Sequence, residues 1–305
     1  MIELYKERSY AACIKEGFEF FQKNLKAFVK VMLPYCIIVA LLNAASSILS
    51  CAMLLQTVPP MLSALLYFLV VLLISAAAIF TFSRLFLLYR RVAGIESAEQ
   101  EDGMKKMKQW KFDLLRTCQL AKRSLPFILC MTIAIVLLCS IIGVAGIYAY
   151  QAIPGKTAVT AAIAVFIGVV LILAASLMLM PLTYSFYHYM MQKEKPALKT
   201  IKQTYRAGRK HLWKIVGVSA LAMFILLVLI LILQLPELIL SQALQHSLTD
   251  SVNMGDNVSV PFGGFCLLAL ASAVMMTFAQ LAYLPYYNVL LFLYGDIYKI
   301  EELKD

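Results

Sequence analysis

The sequence predicts an all-α, polytopic membrane protein with six transmembrane helices, and three observations lead to this fold class. First, 62% of the 305 residues are hydrophobic and 14% are charged, whereas ordinary globular chains contain about 25% charged residues. Second, uncharged apolar runs recur along the chain, and about 20 such residues are enough to cross the hydrocarbon of a bilayer. Third, basic amphipathic stretches lead into some of these runs.

The pattern is clearest at residues 197–235, where a basic amphipathic stretch continues directly into an uncharged run. Leu198, Ile201, Tyr205 and Leu212 recur at intervals that place them on one helical face. Five cations take the opposite face: Lys199, Lys202, Arg206, Arg209 and Lys210. Such a helix is typical of a segment that lies on an anionic membrane surface.

Hydropathy along the whole chain predicts a single membrane domain over residues 1–305. The predicted spans are residues 31–55, 61–86, 125–150, 158–187, 215–235 and 263–294. Amphipathic stretches precede the first, third and fifth spans. Residues 92–109 are rich in charge and are predicted to form a cytoplasmic linker.

The distribution of basic residues predicts that both termini are cytoplasmic. In this orientation the outer loops are residues 56–60, 151–157 and 236–262. Of the 27 lysines and arginines, only Lys156 falls in these loops. Because lysine and arginine are strongly biased toward cytoplasmic loops, the chain is predicted to be N-in and C-in.

Similar residues recur where each amphipathic stretch meets its span, which suggests an internal repeat. The three junctions are Lys23-Asn24-Leu25, Arg123-Ser124-Leu125 and Lys210-His211-Leu212, and a tyrosine closes each pair of spans at Tyr89, Tyr189 and Tyr294. The separation from junction leucine to tyrosine is the same in the first two units and longer in the third, which has the longest predicted outer loop. We therefore predict three amphipathic-helix-plus-two-span units, at about residues 5–91, 110–192 and 197–299.

The segment GFEFFQKNLKAFVKVMLPY at Gly17–Tyr35, together with the six-span pattern, resembles a group of bacterial inner-membrane proteins. The group includes uncharacterised families and the membrane domain attached to some glycerophosphodiester phosphodiesterases. The resemblance implies a module of the bacterial inner (plasma) membrane that has no known reaction of its own. The soluble phosphodiesterase barrel with its acidic metal site does not occur in this sequence, so no functional residue is carried over.

The sequence contains no pattern that indicates catalysis or metal binding. The three histidines are far apart and lack metal-ligand spacing, and the seven cysteines form no C-x-x-C pair. The net charge of +10 comes from residues that flank the apolar runs, so membrane topology explains it better than a nucleic-acid partner. We predict a protein that is not an enzyme, with no metal, cofactor or nucleic acid.

Two functions remain open at this stage. The first is a non-catalytic module that organises membrane lipids or a membrane protein partner through cations at the cytoplasmic face. The predicted contacts to anionic headgroups are Lys23, Lys26, Lys122, Arg123, Lys199, Lys202, Arg206, Arg209 and Lys210. The second is a carrier that moves a lipid or another amphipathic small molecule through the helix bundle.

The carrier hypothesis depends on two spans that contain proline near tyrosines, at Pro181 and Pro285. Interrupted spans in equivalent positions often frame a binding site. The predicted cavity residues are Asn288, Gln280, Tyr184, Tyr187, Tyr286 and Tyr287. Two other interpretations compete: the tyrosines are typical of an aromatic interfacial belt, and Asn288 and Gln280 are typical of hydrogen bonding between helices.

Overall fold

The computed structural model describes residues 3–54, 59–95, 109–152, 158–192, 196–254 and 262–303, and this part of the chain is helical without strands. The helices are α1 (Tyr10–Lys23), α2 (Leu25–Leu54), α3 (Pro60–Val92), α4 (Gln109–Ala152), α5 (Ala158–Met191), α6 (Ala197–Lys210), α7 (Leu212–Met254), α8 (Phe262–Ala282) and α9 (Leu284–Glu302). Helices satisfy every backbone hydrogen bond within one segment, which is what a hydrocarbon environment requires.

Six helical segments of the described chain are long and apolar enough to cross a membrane. They are Leu25–Leu49, Met61–Val92, Lys111–Leu137, Gly168–Met191, Leu212–Leu244 and Cys266–Glu302. Large apolar side chains on these segments face outward, and Phe68, Met178 and Phe224 are 69%, 67% and 67% exposed. Contiguous apolar surface of this extent is unfavourable in water. The predicted six-helix fold class is therefore confirmed.

The three predicted junctions differ in structure. At Asn24 and His211 one helix ends and the next begins, so the first and third amphipathic helices are separate elements. The Asn24 side-chain amide donates to the Phe20 carbonyl (3.0 Å), a bond that competes with the regular backbone pattern. At Ser124, by contrast, α4 is continuous. The second amphipathic stretch therefore continues into its span without a helix boundary.

The predicted third outer loop, residues 236–262, is largely helical in the described chain. Helix α7 continues past Pro236 to Met254. Leucines at Leu240, Leu244 and Leu248 recur every four residues, a spacing that favours helix whether or not basic residues are present. Proline removes one backbone donor, and a long helix tolerates this loss with a local adjustment.

The two prolines that suggested broken spans behave differently. Pro181 lies inside the continuous helix α5. Near Pro285 the helix is interrupted at Tyr283, between the end of α8 and the start of α9. Since proline has no backbone N–H and restricts the preceding residue, the turn before it is the weakest point of the helix. The predicted matched pair of interruptions is thus wrong at Pro181.

Contacts divide the chain into two compact units. The first comprises Met1–Tyr10, Tyr89–Val218 and Leu293–Asp305, and the second comprises Ala11–Leu88 and Ser219–Phe292. In the first unit α5 packs against α4 and α6, and in the second α2 packs against α8. These boundaries do not follow the three predicted repeat units, whose grouping stays a prediction.

Candidate functional site

Helix α6 of the first unit packs on α5 through a face of small residues. Thr200 is 1% exposed, and Thr204 and Gly208 are also buried. The Thr204 hydroxyl donates to the Thr200 carbonyl (2.7 Å), so its polar atom is satisfied within the helix. A Cβ atom at Gly208 would lie 2.9 Å from the Pro181 carbonyl oxygen. This small-residue face allows the two helix backbones to approach closely.

The buried face differs from the predicted apolar face. Ile201, Tyr205 and Leu212 are only half-buried, and the Tyr205 hydroxyl donates to the Met178 carbonyl (3.0 Å). The side chain of Leu198 lies outside the described residues. Close helix packing selects small side chains, so α6 packs on α5 through a face that the apolar periodicity did not indicate.

The five predicted cations of α6 are all exposed. Lys199, Lys202, Arg206 and Arg209 form a row that we call the cationic stripe. With about 3.6 residues per turn, this row lies on the side of the helix opposite Thr200, Thr204 and Gly208. Within the described part of the chain, no acidic side chain pairs with these four residues.

The fifth cation, Lys210, differs because it has an acidic neighbour. Its Nζ atom lies 3.3 Å from Oε2 of Glu301, and the His211 ring lies 3.1 Å from the other oxygen of the same carboxylate. Trp213 follows at the start of α7 and is 75% exposed. Exposed tryptophan is enriched where a span enters the headgroup region, and Trp213 lies four residues after Arg209, the last cation of the stripe.

The other predicted headgroup contacts have varied surroundings. Lys26 and Lys122 are exposed. Lys23 pairs with Glu19 at 3.3 Å. Arg123 donates to the Tyr189 carbonyl (2.9 Å) and lies 4.7 Å from the centre of the Tyr189 ring. Arg123 therefore joins α4 to α5, a structural role that the sequence did not reveal.

Tyr184 and Tyr187, two of the predicted cavity residues, belong to a buried aromatic cluster in the first unit. Tyr294 lies at its centre, with ring separations of 5.7 Å to Tyr184, 6.4 Å to Tyr187 and 6.1 Å to His188. Both predicted tyrosines are buried among other side chains, whereas residues of an interfacial belt usually face the headgroups. Rings at these distances and tilts stabilise each other as well as excluding solvent.

The N-terminal segment joins this cluster through Tyr5, whose ring lies 4.9 Å from that of Tyr298. Burial raises the pKa of the Tyr5 hydroxyl above its usual value, and the group therefore stays neutral well above pH 7. A Cβ atom at Gly295 would lie 2.2 Å from the Leu4 carbonyl oxygen. Only glycine allows the N-terminal segment to lie this close to α9.

A buried ion pair holds the same segment, and sequence reasoning missed it. Asp296 is fully buried. Its Oδ1 accepts the Arg8 backbone N–H (2.6 Å), and its Oδ2 lies 2.6 Å from the Lys214 ammonium. The ammonium in turn donates to the Arg8 carbonyl (2.7 Å). We call Arg8, Lys214 and Asp296 the N-terminal clasp. The sequence feature that could have indicated it is Asp296 itself, an acidic residue among the aromatic residues that follow the last predicted span.

A cavity of about 180 Å³ lies in the second unit, lined by side chains of α2, α3, α8 and α9. Most of the lining is apolar and includes Met32, Cys36, Phe82, Leu85 and Leu284. Thr81, Gln280 and Tyr287 supply polar atoms, so two of the predicted cavity residues are present. The sequence did not predict that α2 and α3 form part of the cavity wall, because their residues there resemble those of any packed span.

The remaining predicted cavity residues do not line this space. Asn288 is fully buried elsewhere on α9, and Tyr286 does not belong to the cavity lining. The cavity spans the interruption at Tyr283, since Gln280 precedes it and Leu284 follows it. In the described residues no group of three or more histidine, cysteine or acidic side chains is placed to hold a metal ion.

No protein-family profile, curated protein or solved structure matches the chain. Its class therefore follows from its own architecture. Six long apolar helices with outward-facing hydrophobic side chains are compatible with a helical integral membrane protein.

Proposed function

We propose that this protein is a non-catalytic module of the bacterial inner (plasma) membrane that organises anionic lipids at the cytoplasmic face. The observation that supports this function is the cationic stripe of α6. Its four side chains are exposed, and the small-residue face of the helix is already covered by α5. The stripe lies on the side of α6 opposite its packed face, and no described acidic side chain offsets its charge, so we infer that anionic groups outside the chain do.

Lipid headgroups are the nearest source of that charge. Helix α7, which contains an apolar segment long enough to span a membrane, begins immediately after His211. The exposed Trp213 next to it is the kind of residue that sits at headgroup level. Each lysine or arginine close to an anionic membrane surface contributes about 1 kcal/mol of attraction. A membrane protein partner with an acidic face would use the same residues.

Removing two charges of the stripe should reduce lipid retention strongly. We expect Lys199→Gln with Lys202→Gln to weaken anionic-lipid binding by about 30-fold, which corresponds to about 2 kcal/mol. The measurement is the apparent affinity of the purified full-length protein for phosphatidylglycerol, followed by native mass spectrometry of lipid adducts. Phosphatidylcholine binding should not change.

The matched control is Lys15→Gln with Lys23→Gln. These two lysines are also exposed, but both lie beside Glu19, at 3.9 Å and 3.3 Å. The carboxylate offsets their charge, so the control should lower phosphatidylglycerol affinity by a smaller factor. Equal losses in the two double variants would show that net charge alone matters and would contradict a specific role for the stripe.

The proposed orientation places both termini in the cytoplasm, supported by the near absence of basic residues from the predicted outer loops. Single cysteines introduced as Ser97→Cys and Ser259→Cys, in a background without the seven native cysteines, test this. In intact cells an impermeant maleimide should label position 259 alone, and position 97 should react only after lysis. The reverse pattern would contradict the orientation.

A carrier of a lipid or another amphipathic small molecule is the second candidate, and the cavity beside Gln280 is the observation that favours it. Its volume of about 180 Å³ is below the range of about 300–1,000 Å³ that is typical of sites for drug-sized ligands. A whole lipid does not fit into such a space. The module therefore remains the better-supported function.

A further inference from the structure

The cavity of the second unit contains a polar group that makes no hydrogen bond to the described residues. Gln280 is half-buried on α8 and lines the cavity. Among the described residues, no hydrogen bond is made to its side-chain amide. An amide offers two donors and two acceptor lone pairs, and all of them remain available to a molecule in the cavity. A ligand in the cavity would supply the missing partner.

The other polar groups of the wall differ from Gln280. The Thr81 hydroxyl already donates to the Ala77 carbonyl at 2.8 Å. Tyr287 packs its ring edge against Phe82, with 4.7 Å between ring centres. Gln280 is thus a wall residue whose side-chain amide makes no hydrogen bond in the described part of the chain. One polar contact surrounded by apolar side chains sets the orientation of a bound molecule.

Volume and charge define the chemical class of that molecule. A dry cavity of about 150 Å³ lined by apolar side chains binds benzene, so about 180 Å³ accepts a molecule slightly larger than one ring. None of the described lining residues is charged, and a charged ligand would lose its hydration without gaining a partner. The cavity therefore suits a neutral ligand with a compact apolar body.

We propose that this cavity is a binding site for a small neutral amphiphile, with an apolar body of about one ring and one hydrogen-bonding group that contacts Gln280. The site lies where α8 gives way to α9 at Tyr283. Chain interruptions inside spans are found where the backbone lines a site, as in many membrane transporters. This inference is independent of the cationic stripe, because it uses other residues and predicts a different ligand.

Cys36 provides the readout, since its thiol lines the same cavity. The full-length protein in detergent is treated with methyl methanethiosulfonate, a small neutral thiol reagent, and modification of Cys36 is followed by peptide mass spectrometry. The probes are p-cresol and toluene, which differ by one hydroxyl. Both should slow modification of Cys36, whereas the exposed Cys266 serves as an internal control whose rate should not change.

The hydroxyl group of p-cresol should make it protect Cys36 more strongly than toluene does. We compare the probe concentrations in the detergent phase that halve the rate of Cys36 modification. For p-cresol this concentration should be about fivefold lower than for toluene, the factor typical of one neutral hydrogen bond. Gln280→Leu should remove this difference by weakening p-cresol alone, and Gln280→Met is a second variant if leucine lowers the yield of folded protein. Thr81→Val is the matched control and should preserve the difference, because the Thr81 hydroxyl is already bonded within α3.

Three outcomes would overturn the proposal. One is that neither probe protects Cys36, and another is that the preference for p-cresol persists in both Gln280 variants. The third concerns lipid as the source of the ligand. If Cys36 is already protected in phospholipid nanodiscs without a probe, and p-cresol adds no protection, then a hydrocarbon chain fills the cavity and the hydrogen-bonding ligand is excluded.

Discussion

Replacing Asp296 by alanine should destabilise the protein by about 3–5 kcal/mol, the usual cost of removing one partner from a buried ion pair. The carboxylate is fully buried and contacts both the Lys214 ammonium and the Arg8 backbone N–H. Its loss leaves the ammonium in a poorly solvated site with only the Arg8 carbonyl as an identified acceptor. Unfolding in mixed micelles of increasing dodecyl sulfate content measures the change.

Two further variants identify the cause of this loss. Lys214→Met combined with Asp296→Leu removes both charges and should recover most of the stability, because an apolar pair of similar volume often replaces a buried ion pair without net cost. Glu19→Ala is the control, since it removes an exposed carboxylate beside Lys15 and Lys23, and we expect it to cost less than about 1 kcal/mol. A similar small change for Asp296→Ala would contradict a stabilising clasp.

Gly295→Ala should release the N-terminal segment from α9. The added methyl group would lie 2.2 Å from the Leu4 carbonyl oxygen, and backbone cannot move aside as the end of a side chain can. Overpacking of this kind costs about 1–3 kcal/mol, which corresponds to a roughly 5- to 150-fold larger population of the released segment. Trypsin cleavage after Arg8, which is buried in the intact protein, should accelerate by a similar factor.

The matched control for this prediction is Gly168→Ala. Gly168 also lies within a helix, but apart from its chain neighbours and the adjacent helix backbone no atom would lie within 4 Å of a methyl group added there. We expect no faster cleavage after Arg8 in this variant. If Gly295→Ala behaves like the control, the close approach of Leu4 to α9 is not what holds the segment.

Local sequence patterns were sufficient to predict the helical class and the exposed cations of α6. Both depend on short-range properties: a run of apolar residues predicts a span, and charges repeated every three or four residues predict a polar helical face. For residues 236–254 the absence of basic residues predicted an outer loop, and the structure shows that this segment is helical. Leu240 and Leu244 belong to a helical pattern in the sequence, and this pattern is the better guide to the local structure.

The candidate sites depended on contacts between residues that are far apart in the chain. Gln280 and Tyr287 were predicted, but the cavity they line also needs Met32 and Cys36 from α2. An apolar side chain gives no local sign of whether it faces a neighbour, lipid or an empty space. For the same reason Tyr184 and Tyr187 were expected at a cavity or an interface and are instead buried around Tyr294.

The sequence by itself determined which segments are apolar helices and where the positive charge lies, because hydropathy and helical periodicity are properties of neighbouring residues. Only the tertiary structure decided which faces of those helices are buried. Thr200 and Gly208 contribute to the close packing of α6 because they are small, and Gly295 admits the N-terminal segment because it has no side chain. Asp296 meets Lys214 and Arg8 only when remote parts of the chain fold together, and no local pattern encodes that meeting.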